Sequence, residues 1–129
     1  MNPYQIDVSL KSFQADYKKV LQKYPTFKND ISAVFASLET NPEIGKAIPK
    51  FSRQVWKIRV GVKGVMGKSG GYRLIYHVDF TRKVITPMAL YFKGETEQLP
   101  DHEVQRLFGE VAKNIEAASA SSANPPLLN

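Results

Sequence analysis

A chain of 129 residues, 43% hydrophobic and 23% charged, has the size and composition of one ordinary globular domain, which excludes wholesale disorder. It carries no cysteine, so disulfides, thiolate metal ligands and a thiol nucleophile are excluded as well. The net charge of +6 is unevenly spread: from Lys46 to Gly94 eleven basic residues stand against a single acid, Asp79, giving that segment +10 and the remainder −4.

In the first ten residues Tyr4, Ile6, Val8 and Leu10 alternate with polar neighbours, the period of a strand. No basic start followed by an apolar run precedes them, so no secretory signal is expected. No apolar stretch is long enough to span a bilayer, and the expectation is a cytoplasmic protein without a membrane partner. Ser12 is placed to cap a helix along which Phe13, Tyr17, Val20, Leu21 and Tyr24 form one stripe. Pro25 ends that helix and Thr26 caps a second, with Phe27, Ile31, Val34, Phe35 and Leu38 at the same spacing. The pair reads as a helical hairpin whose aromatic stripes are core packing, not a stacking platform. Asn41-Pro42 stops the second helix, and Asn41–Gln54 reads as a loop with apolar anchors at Ile44, Ile48 and Phe51.

Three strands follow, at about Val55–Lys63, Tyr72–Phe80 and Val84–Lys93, with a short turn over Asp79–Lys83 between the last two. Pro87 inside the third suits an edge strand or a bulge. Pro100 and Asp101 open a last helix with Val104, Leu107, Phe108, Val111, Ala112 and Ile115 on its buried stripe. From Ala117 the composition turns to Ala, Ser, Asn and Pro, and a disordered tail is expected. The prediction is a single α+β domain over residues 1–116 and a tail over 117–129. Its architecture is an N-terminal strand, a helical hairpin, an antiparallel three-stranded meander and a C-terminal helix.

Alternation along a strand assigns the faces. Trp56, Ile58, Val60 and Val62 point one way, and Lys57, Arg59 and Lys63 the other. In the next strand Leu74, Tyr76 and Val78 share a face opposite Arg73, Ile75 and His77. In the third, Ala89, Tyr91 and Lys93 oppose Met88, Leu90 and Phe92. Pairing these strands makes one face apolar and the other cationic, a surface for phosphates. Arginines clamp phosphate in a bidentate fashion, and a tyrosine or histidine stacks on a base. A basic field of this kind also attracts anionic membranes and acidic proteins.

Other chemistries fit poorly. Gly67-Lys68-Ser69 has the look of a nucleotide loop, but Val62 stands where the leading glycine belongs and a strand follows where a helix is needed. The glycines of this loop suit a mobile hairpin connection that offers Lys63 and Lys68 to a polyanion. His77 and His102 are far apart, the basic region offers only Asp79, and hard cations need several oxygen ligands, so no metal and no cofactor are expected.

The segment Lys57-Ile-Arg-Val through Gly70-Gly-Tyr-Arg-Leu-Ile-Tyr76, followed by Leu90-Tyr-Phe-Lys93, resembles the RelE/HigB toxins of bacterial type II toxin–antitoxin systems, over about Tyr4 to Ile115. The resemblance implies a RelE-like fold and a small, ribosome-dependent, metal-independent endonuclease that cuts mRNA in the ribosomal A site. It also implies a cognate antitoxin as partner, expected to carry a helix-turn-helix domain. Carried over by position, Lys57, Arg59, Arg73 and Lys93 are the expected catalytic set; Lys63 and Lys68 of the glycine loop, and His77 and Tyr91 of the strand faces, are the RNA contacts expected from the residues themselves. Tyr91 precedes the last basic position, as in the HigB-like branch, whereas RelE proper has its tyrosine after it. Here that stretch reads Gly94-Glu-Thr-Glu-Gln-Leu-Pro100.

The chemistry is consistent with that set. Attack by a ribose 2′-hydroxyl builds negative charge at phosphorus, which preorganised Arg and Lys side chains stabilise without a metal. Crowded cations favour a neutral amine on one lysine, which makes Lys57 the candidate base. Arg59 and Arg73 are then phosphate clamps and Lys93 a stabiliser or proton donor. Three rivals share much of this reading: the related ParE toxins, which have the same fold but bind DNA gyrase, a basic RNA-binding module without catalysis, and a basic face that simply binds an acidic antitoxin.

Overall fold

The computed structural model describes residues 3–63, 71–96 and 98–123. In chain order the elements are β1 (Gln5–Ile6), α1 (Lys11–Lys23), α2 (Phe27–Thr40), β2 (Lys46–Ala47), β3 (Val55–Val60), β4 (Tyr72–Asp79), β5 (Val84–Phe92) and α3 (Asp101–Ala123). The strands form one sheet in the order β1-β5-β4-β3-β2, antiparallel except where β1 runs parallel to β5. The expected meander is therefore the centre of a larger sheet. Its added edge strand β2 lies inside the stretch read as loop, and the N-terminal strand is only two residues long. β1 stops because Asp7 Oδ1 accepts the N–H of Ser9 and turns the chain, leaving Val8 exposed.

The apolar stripes of α1 and α2 pack on one face of the sheet. Phe13, Val20, Phe27, Ile31 and Leu38 meet Trp56, Val60, Tyr72, Leu74, Tyr76 and Ile85 in one cluster. Full burial of each large side chain contributes about 1.5–3 kcal/mol, so this cluster is the main source of stability. α3 covers the other face with Val104, Leu107 and Val111, against Val55, Ile75, Met88, Ala89 and Tyr91. The helix runs on to Ala123, into the stretch expected as a tail; residues 124–129 lie outside the described residues.

Two sequence expectations change. Ser12 does not cap α1: the N-cap position is Leu10, no side chain caps it, and the Ser12 hydroxyl donates instead to the carbonyl of Met88 at 2.8 Å. Met88 does not share a face with Leu90 and Phe92. Ile75 pairs with Ala89 and Tyr76 with Pro87, so Met88 is an extra residue in a β-bulge and joins Ala89 under α3. Pro87 is accommodated beside that bulge, on a stretch of β5 that β1 no longer reaches.

Candidate functional site

Register assembles the site. Arg59 stands opposite Arg73, and Arg73 opposite Tyr91, so the three form one row across β3, β4 and β5. The adjacent row is Lys46, Lys57, Ile75 and Ala89. Directly opposed side chains have Cβ atoms about 5 Å apart, so four cations share a small patch on the α3-side face. The third row, Val55 and His77, is buried. α3 thus covers one end of the face and leaves the cationic end open: Lys46 and Arg59 are exposed, and Lys57 and Arg73 half-buried.

A cavity of about 440 Å³ opens beside these cations, lined by Lys46, Lys57, Ile75, Tyr91 and, from the approach to α3, Gln98 and Leu99. Tyr91 is 8% exposed. Burial pushes its phenol above the ordinary value of 10, and the charge of Arg73 pulls partly the other way. Arg73 Nη1 donates to the Tyr72 carbonyl at 3.4 Å. Lys93 follows β5 and is exposed, and its N–H donates to the Gly71 carbonyl at 3.1 Å, one step beyond the Tyr72–Phe92 pair.

Glycine is required at two positions around this patch. A Cβ on Gly45 would lie 2.6 Å from both the Lys57 carbonyl and the Tyr76 hydroxyl, so only glycine lets Lys46 approach β3. Gly71, with φ +89°, makes the entry to β4 just before Arg73. The loop after β2 is held in left-handed backbone at Lys50, Ser52 and Arg53 (φ 79°, 51° and 60°). Its cations are ion-paired: Lys50 with Asp101 at 3.0 Å, both lining the same cavity, and Arg53 with Glu43 at 2.8 Å while lying over the Trp56 ring.

Not every expected residue joins the patch. His77 is 4% exposed with its ring 5.6 Å from Phe108, so it is core beneath α3 and offers no surface to RNA. Burial lowers its pKa, with Asp79 opposing, and among the described residues its Nδ1 has no hydrogen-bond partner. Alternation along the strand carries no information about which end of a face a helix will cover. Lys63 lies beyond β3, where Val62 enters the hairpin-side core and the Lys63 N–H points to Asp30 Oδ2 at 3.4 Å. Lys68 lies outside the described residues. Sequence reasoning missed Lys46, Gln98 and Leu99; the signal for Lys46 was the glycine before it, which fits only a close strand contact. Among the described residues no group of three His, Cys, Asp or Glu is placed to hold a metal ion.

No curated protein sequence matches the chain. Among solved structures, a double arginine-to-alanine mutant of the E. coli toxin RelE in its free state superposes with a TM-score of 0.52 at 17% sequence identity, covering 88% of this chain and 98% of that one. At that identity the likeness establishes the fold, which is RelE-like. The family model for the ParE toxin of type II toxin–antitoxin system, parDE, matches residues 10–86, from the start of α1 into β5. That is more than half of the chain, which therefore belongs to this family of toxins from type II toxin–antitoxin systems.

Proposed function

We propose that this toxin is a metal-independent endoribonuclease that cleaves translated mRNA on the ribosome. The observation that carries the reading is the direct opposition of Arg59 and Arg73 in a row ending at Tyr91, with Lys57 and Lys46 in the next row and a cavity beside them. Two arginines held one strand apart suit the non-bridging oxygens of a phosphate. In the reaction the 2′-oxygen bonds to phosphorus, the P–O5′ bond breaks, and the products end in a 2′,3′-cyclic phosphate and a 5′-hydroxyl. Lys57 takes the 2′-hydroxyl proton, Arg59 and Arg73 stabilise the charge at phosphorus, and Lys93 protonates the leaving oxygen. Tyr91 forms the wall against which a base stacks. The position of Tyr91 before Lys93 favours the HigB-like branch.

Family membership implies an antitoxin. We take it to carry a helix-turn-helix domain, and the toxin to act in the cytoplasm. A second reading rests on the ParE name of the matching family model: inhibition of DNA gyrase, with the cations serving to bind that target. Inducible expression of the protein and of an Arg73→Ala variant separates the two. New transcript 5′ ends inside translated codons, absent with the variant and in untranslated RNA, are expected. Growth arrest with broken or over-wound DNA and no such ends would establish the gyrase reading. Cleavage by the purified toxin on programmed ribosomes is expected to survive EDTA at levels that leave the ribosomes intact; strong inhibition there would sink the metal-free mechanism.

A further inference from the structure

Beyond Ile85 the outer edge of β5 has no strand partner among the described residues. An open edge presents unpaired backbone donors and acceptors, and here α1 takes two of them. Ser12 Oγ donates to the Met88 carbonyl at 2.8 Å, and the Leu90 N–H donates to Asp16 Oδ2 at 3.0 Å. Ser12 and Asp16 lie one helical turn apart, so they reach one edge together. The groups they hold are the bulge residue and the residue just before Tyr91.

The bulge decides which way Tyr91 faces. A one-residue change of register moves every side chain of a strand to the other face. With Met88 opposite Ile75 and no bulge, Leu90 would stand opposite Arg73, and Tyr91 would turn toward the hairpin-side core. With the bulge, Tyr91 stands opposite Arg73. Pro87 has no N–H to give the ladder, so the backbone holds this point weakly by itself. Neither helix residue is explained by α1 alone. Ser12 caps nothing, and Asp16 is a half-buried carboxylate whose pKa is raised by burial and by the nearby Glu103, with the Leu90 N–H and Lys19 opposing. A desolvated carboxylate costs stability unless it is hydrogen-bonded, and its bond is to the strand that carries Tyr91.

We propose that Ser12 and Asp16 are positioning residues that together lock the β5 bulge and hold Tyr91 on the cationic face beside Arg73. The catalytic consequence rests on reading that face as the RNA-cleaving site; the structural consequence does not.

The test compares Ser12→Ala/Asp16→Ala with Ser12→Thr/Asp16→Asn in the full chain. The second pair keeps a hydroxyl donor and a carbonyl acceptor. In the alanine pair, NMR contacts from the Tyr91 ring to Arg73 and Ala89 are expected to weaken while unfolding stays cooperative. On programmed ribosomes kcat falls on the order of tenfold to a hundredfold, as for a displaced catalytic neighbour. KM rises about fivefold or more as well, because the base loses its stacking wall while the cations stay in place. The conservative pair restores both. Ring contacts that persist in the alanine pair, or that the conservative pair fails to restore, overturn the clamp whatever the activity. A wild-type toxin that cleaves no RNA, with contacts still lost in the alanine pair, overturns the site reading and leaves the clamp standing. Should the alanine pair fail to fold, Asp16→Ala against Asp16→Asn carries the same comparison.

Discussion

The face of the sheet under the α1–α2 hairpin is apolar from β3 to β5, whereas the face under α3 is apolar around Val55, Ile75 and Met88 and cationic at Lys46, Lys57, Arg59 and Arg73. Widths explain the difference. A helix with its side chains is about 10 Å across, and five strands span about 19 Å. Two helices close one face, while one helix leaves part of the other to solvent. The uncovered part must be polar; that it carries one sign of charge is why we propose it as the site.

Neighbouring residues on β4 test that division most sharply. Leu74 is fully buried on the hairpin side and Arg73 half-buried on the other. Leu74→Ala is expected to lose about 2–5 kcal/mol in chemical denaturation, with cleavage per folded molecule retained. Arg73→Ala is expected to lose on the order of a hundredfold or more in kcat and no more than about 1 kcal/mol of stability. A large stability loss for Arg73→Ala with little change in turnover would erase the distinction between a packing face and a working face.

Gly45 lies where the two faces meet, because its missing Cβ makes room for both the Lys57 backbone and the buried Tyr76 hydroxyl, which donates to the Pro42 carbonyl at 2.8 Å. Gly45→Ala should destabilise by about 1–3 kcal/mol, as overpacking does, and should weaken RNA affinity by shifting Lys46. Gly61→Ala is the control: a Cβ there meets nothing within 4 Å. A denaturation series in which the two variants behave alike would show that the close approach of β2 carries no weight.

The hairpin side was legible because its signals are local. Phe13, Val20, Phe27 and Ile31 repeat at helical spacing, and Trp56, Val60, Leu74 and Tyr76 at strand spacing, so period alone assigns both partners of the core. The cationic row was half legible: alternation puts Lys57, Arg59 and Arg73 on one face but cannot say that Arg59 lies opposite Arg73. His77 was misplaced because burial by α3 is a tertiary event with no trace in the strand's own pattern. Met88 was misplaced because a bulge breaks the period that the reading depends on. Ser12 looked like a cap because its type suits one, and a bond to a strand 76 residues away leaves no mark nearby.

His77 marks the boundary between the covered and open ends, and its effect appears in pH dependence. Burial lowers the imidazole pKa below its ordinary 6.5, with Asp79 partly offsetting. As pH falls through 6.5 the unfolded chain takes up this proton first, so stability falls until the folded pKa is passed. Asp16 acts in the opposite sense at lower pH, because its raised pKa lets the folded state bind a proton above the unfolded value of 3.8. Denaturation midpoints measured from pH 7.5 to 5.5 should therefore decline in wild type and flatten in His77→Phe, which also removes the buried Nδ1. An equal decline in both would place the sensitivity elsewhere.

The smallest effect concerns how far the working face extends along the basic segment. Lys83 belongs to that segment but sits in the β4–β5 turn, at the end of β4 opposite Arg73 and about 20 Å from it at 3.4 Å per residue. There it adopts φ 59°, a left-handed backbone that costs a residue with a side chain about 1–2 kcal/mol. Glycine removes that strain but gives back roughly 0.5–1 kcal/mol of unfolded-state freedom. Lys83→Gly should thus raise stability by about 0.5 kcal/mol, with the Lys83 carbonyl still accepting from Gln5. Its RNA affinity and salt slope should stay near wild type, whereas Arg59→Ala lowers both, because only a cation at the phosphates releases counterions. If Lys83→Gly weakens RNA binding as much as Arg59→Ala, the RNA runs along the whole basic segment, and the open end of the sheet is only one part of a longer footprint.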